Sequence, residues 1–103
     1  MSDSRSDYFR TIIFLCKDML GEIDDIGELV AENRYMNELA DSLMEADSYG
    51  IAHVLSLEGA LGRHQSKLSS LYARYPDVPF IDALLRRVMS LREMCVNCID
   101  SFR

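Results

Sequence analysis

The chain has no tryptophan and only two prolines in 103 residues, and both prolines, Pro76 and Pro79, fall inside "YPDVPF". Nothing upstream of that hexapeptide forbids helix on steric grounds. Alternating β-branched stretches, the signature of half-buried strands, are also missing. No apolar run approaches the ~18–20 residues that span a bilayer. The longest, "TIIFLC", is closed by Arg10 and Lys17, so no membrane association is expected. Three cysteines form no framework, which argues against a secreted domain stapled by disulfides. The opening "MSDSRSD" is polar and lacks the basic start of a secretory signal. The expected compartment is the cytoplasm.

Catalytic motifs are missing too. There is no G-x-S-x-G, no G-x-x-x-x-G-K and no H-E-x-x-H. The Glu-x-x-His spacing of di-iron bundles, the chemistry a four-helix core hosts most readily, is also missing. "GRHQS" sets Ser66 two residues from His64, a spacing that points the pair to different faces of a helix. Neither "AHVLSLEG" nor "GRHQSKLSS" supplies the surroundings of a phosphotransfer histidine. No enzyme, metal or cofactor is expected. Basic stripes exist at Arg63, Lys67 and Arg74 and at Arg86, Arg87 and Arg92. They are neither dense nor interleaved with aromatics, so no nucleic-acid partner is expected.

What the sequence does contain is helical periodicity. Phe9, Ile12, Cys16, Met19, Ile23, Ile26 and Val30 recur at alternating spacings of three and four. So do Val54, Leu57, Leu61, His64, Leu68, Leu71 and Tyr75, and again Ile81, Leu84, Val88, Leu91, Cys95, Cys98 and Phe102. Met36, Leu39, Leu43 and Ala46 form a shorter string between the first two. The pattern predicts one all-α domain over residues 1–103. It is an up-down-up-down four-helix bundle of three long helices and a short second one, with the first and last helices antiparallel neighbours. Ser4 to Asp7 has capping-box spacing for the first helix, and Asn33-Arg34 is its expected stop. Gly50 is expected to end or bend the second helix, and Pro79 to open the last. Gly59 and Gly62 each cost about 1 kcal/mol inside a helix, yet the unbroken apolar string favours a continuous helix there. Tyr8, Ile13, Phe14, Leu15, Leu20, Leu29 and Leu85 add apolar surface beyond the seams. A second copy, giving a homodimer, or another partner could cover some of it.

Cys95 and Cys98 make a C-x-x-C pair. Redox pairs of this kind use the positive end of a helix dipole to stabilise a thiolate. Here the pair falls near the C-terminal end of the last helix and on its apolar seam, where free cysteine serves as core filler. In the antiparallel arrangement Cys16 would stand level with Cys95, so three sulfurs could gather, although zinc needs a fourth ligand. His64, on a seam where leucine would be expected, is read as a core imidazole with bonded nitrogens. His53 lies beside the seam and is expected to be partly exposed.

Charge is unevenly spread. Residues 1–50 carry a net −8 and residues 51–103 a net +2. The acids Asp18, Glu22, Asp24, Asp25, Glu28 and Glu32 occur in one stretch without a base. On a continuous helix, Asp18, Asp25 and Glu32 would repeat every seven residues away from the seam. Like charges at such spacing cost a few tenths of a kcal/mol each, which points to a surface that steers and docks a basic protein. The expected function is therefore a non-enzymatic protein-binding module, in the manner of small acidic helical chaperones, immunity proteins or anti-factors. Its six acids would contact a basic partner or a second copy. The alternatives are a thiol- or metal-responsive regulator using Cys16, Cys95 and Cys98, and a self-associating structural bundle.

Overall fold

A computed structural model describes residues 4–23 and 25–103. The helices are α1 (Ser4–Ile23), α2 (Val30–Met44), α3 (Ile51–Arg74) and α4 (Pro79–Phe102), with a 3-10 turn, Gly27–Leu29, between α1 and α2. No strand occurs among the described residues. The helices pack as the expected bundle, 47 Å long, which accommodates the ~36 Å of a 24-residue helix. Contacts fix the directions. Glu22, near the end of α1, pairs with Arg87, near the start of α4. Arg5, near the start of α1, lies over the Phe102 ring at the end of α4. The α3–α4 pairing is the most extensive in the molecule.

The seams account for most of the core. Phe9, Ile12, Cys16, Met19 and Ile23 of α1, Val54 to Leu71 of the α3 string, and Ile81 to Cys98 of the α4 string are all buried. Met36, Ala40 and Leu43 complete it from α2. Pro79 opens α4, where its missing amide hydrogen breaks no intrahelical bond. α3 runs unbroken through Gly59 and Gly62. Over Gly62 lies the Arg92 guanidinium, whose carbon would sit 3.5 Å from an added Cβ. That guanidinium donates to Glu58 Oε1 at 2.9 Å and to Gln65 Oε1 at 2.8 Å, tying α4 to α3.

The structure corrects the sequence reading at several points. The first helix does not run to Asn33. It stops at Ile23, and Ile26 takes an extended conformation with φ −82° and ψ 103°. The break turns Leu29 inward, fully buried, and leaves Val30 46% exposed. Burying leucine in place of valine favours the break by one methylene, about 0.8 kcal/mol. It also removes Gly27 and the run of like charges from a helix interior, and sets Glu28 and Glu32 at the N-terminal end of α2, where negative charge is favourable. Tyr75 leaves the third seam and is 49% exposed, because α3 ends at Arg74. Gly50 does not end α2, which closes at Met44; it is the N-cap of α3, and its N–H donates to His53 Nδ1 at 3.0 Å. Ser4 is already helical, so the proposed capping box does not begin the helix there.

Candidate functional site: the acidic end of the bundle

The break between α1 and α2 redistributes the six acids. Asp18 is exposed on the outer face of α1, and Asp25 is exposed in the turn. Neither has an ion-pair partner among the described residues. Asp24 lies outside the described residues. The other three acids are engaged by the two basic stripes: Glu22 with Arg87, Glu28 with Arg74, and Glu32 with Lys67 at 3.9 Å. Glu32 turns inward, and its Oε2 is buried without a hydrogen-bond partner. The acids therefore do not line one helix face. Glu22, Asp25, Glu28 and Glu32 gather around the end of the bundle where α1 and α3 finish and α2 and α4 begin, with Asp18 further back along α1.

The α3–α4 connection at the same end adds a feature that seam analysis missed. Tyr72, Tyr75, Val78 and Phe80 are between 38% and 49% exposed. The Glu28–Arg74 pair brings this loop against the acidic turn, and the Arg74 guanidinium also lies 5.6 Å from the Tyr75 ring centre. Asp77 stands exposed in the loop, and Asp82 pairs with Arg86 one helical turn on. The signal was present in "YARYPDVPF": Tyr72, Val78 and Phe80 lie outside the seams, and Tyr75, though in register with one, precedes a proline that disfavours helix there.

Beneath this end lies a polar chain, buried at His64 and half-buried at Asn33. Asn33 Nδ2 donates at 3.1 Å to the Ile23 carbonyl, which also accepts from the Ile26 N–H at 3.2 Å, at the end of α1. Its Oδ1 consequently faces His64 Nε2 at 2.8 Å, which makes Nε2 the protonated nitrogen of the neutral ring. His64 Nδ1 lies 3.3 Å from the Ala60 carbonyl oxygen, a contact that becomes a donated bond only in the imidazolium. Burial holds the His64 pKa below the ordinary value of 6.5, opposed by the Ala60 carbonyl and the charge of Glu32. One amide and one imidazole thus join α1, α2 and α3.

The three cysteines are free and buried. Burial pushes the Cys16 and Cys95 thiols up to about 12 and raises Cys98 as well. Cys16 and Cys98 both act electrostatically on Cys95, so the sulfurs share one region of the core. Among the described residues no three histidine, cysteine or acidic side chains are placed to hold a metal ion, and no helix is long and apolar enough to cross a membrane. No family model matches this chain, and neither a curated protein nor a solved structure matches it.

Proposed function

We propose that the chain is a non-enzymatic protein-binding module that docks a basic partner at the acidic, aromatic end of the bundle. The observation that carries this reading is the meeting of exposed acids with exposed aromatic and aliphatic side chains at one end of the bundle: Asp25 and Asp77 with Tyr72, Tyr75, Val78 and Phe80. Aromatic side chains supply the buried centre of a typical interface, and surrounding charges set approach and register. Asp18 extends the negative field along α1. Glu22, Glu28 and Glu32 enter it more weakly, since each is already opposed by a base. Side chains that could do chemistry are otherwise engaged. The thiols are held protonated inside the core, and the His64 ring nitrogens face Asn33 and Ala60. This counts against the thiol-responsive alternative.

The test starts from capture on the intact protein and mass-spectrometric identification of what is retained. Each candidate is then purified and titrated. Asp25→Lys with Asp77→Lys, and separately Tyr75→Ser with Phe80→Ser, should each weaken binding, the aromatic pair by about 2 kcal/mol or more. Added salt should weaken binding by the wild type, and less so by the lysine variant. Binding that ignores both pairs of substitutions would sink the assignment of this surface. A dimer mass that persists at high salt, with no partner bound, would favour the self-associating bundle instead.

A further inference from the structure

An open groove of about 510 Å³ runs between α1 and α2, lined by Lys17, Leu20, Gly21, Val30, Asn33, Arg34 and Asn37. Its charge is opposite to that of the molecule. In a chain of net charge −6, these residues include two cations, two amides and no acid. Lys17 is already neutralised by Asp41. Arg34 is exposed and has no ion-pair or hydrogen-bond partner among the described residues, so the groove offers one uncompensated positive charge. Asn33 is held in place by its bonds to the Ile23 carbonyl and to His64, which leave one amide hydrogen unspent. Val30, 46% exposed, and the edge of the nearly buried Leu20 supply apolar contact, and a Cβ built on Gly21 meets nothing within 4 Å, so there is open space beside the glycine.

We infer that this groove binds a small aliphatic carboxylate. A planar carboxylate matches the forked guanidinium of Arg34 in a bidentate pair, with the Asn33 and Asn37 amides as further donors. One free cation in a strongly negative field suits a single negative charge better than the doubly charged phosphate. The apolar residues suit a short hydrocarbon chain, and the volume lies within the range of small-ligand pockets. The inference is independent of the docking end, because neither Asp77 nor the Tyr72–Phe80 loop lines the groove.

Hexanoate is the probe, followed by two-dimensional amide NMR on the full chain, with hexanol, hexylamine and inorganic phosphate as controls. Hexanoate should move the amide signals of Gly21, Asn33, Arg34 and Asn37 along a saturating curve, and the three controls should not. Arg34→Gln should weaken hexanoate by about tenfold or more, the loss of a charged hydrogen bond. Gly21→Leu should abolish binding while leaving the remaining spectrum that of the folded protein, since leucine favours helix and the position is open. A linear response to hexanoate, an equal response to hexanol or phosphate, or binding retained in Gly21→Leu would each overturn the assignment. None of these outcomes bears on the acidic end.

Discussion

His64 shows how one side chain can set the pH response of a bundle. Its folded-state pKa lies below the ordinary 6.5 because burial disfavours the imidazolium. The unfolded chain therefore binds the extra proton more readily than the folded one. The stability contributed by neutral His64 is complete above about pH 6.5 and is lost as the pH falls below it towards the depressed value. Urea unfolding followed from pH 7.5 to 5 should show this decline in the wild type. In His64→Gln, which keeps an amide donor for Asn33 Oδ1, the decline should flatten. His64→Leu should be less stable than the glutamine variant at neutral pH, because it strands a half-buried acceptor at a cost of about 1 kcal/mol. An unchanged slope in the glutamine variant would show that another group titrates.

Among the elements, α3 carries the clearest internal conflict. Two glycines sit inside a 24-residue helix, and their surroundings differ. Gly59 meets nothing within 4 Å of an added Cβ, whereas Gly62 lies under Arg92. Gly59→Ala should raise stability by about 1 kcal/mol, read as a higher urea midpoint at unchanged slope. Gly62→Ala should gain at least as much, because the new methyl makes ordinary van der Waals contact with a guanidinium held by Glu58 and Gln65. The continuity of α3 was legible in its sequence because His64 and six apolar neighbours keep register across both glycines. The end of α1 was not legible. Ile26 and Val30 continue its spacing, and only tertiary packing shows that burying Leu29 is the better exchange. The same holds for the candidate site. The acids were evident as a cluster, but their partners Arg74, Arg87 and Lys67 come from helices whose register the linear pattern does not fix. The aromatic loop was overlooked because Tyr75 happens to fit the seam of a helix that ends one residue earlier.

For the whole molecule, the charge imbalance between the two halves of the sequence is met only in part, by Glu22–Arg87, Glu28–Arg74 and Glu32–Lys67, and the chain keeps its net charge of −6. Ion pairs join α1 to α2 and α4, the 3-10 turn and α2 to α3, and α3 to α4. Apart from the half-buried Arg92–Glu58 pair and the inward-turned Glu32 of the Glu32–Lys67 pair, these are surface contacts worth little individually, so fold stability should depend weakly on salt, and capture of the proposed partner should depend on it strongly. The sulfurs have a different consequence. All three are sealed between α1 and α4 and the rest of the core, out of reach of any reagent while the helices stay together. A maleimide dye added to the native protein can therefore label them only during moments when the bundle parts, and adding a chelator should leave the rate unchanged. Reaction within seconds at neutral pH would contradict that picture. Slow reaction would turn three buried thiols into a built-in stopwatch for how often this protein breathes.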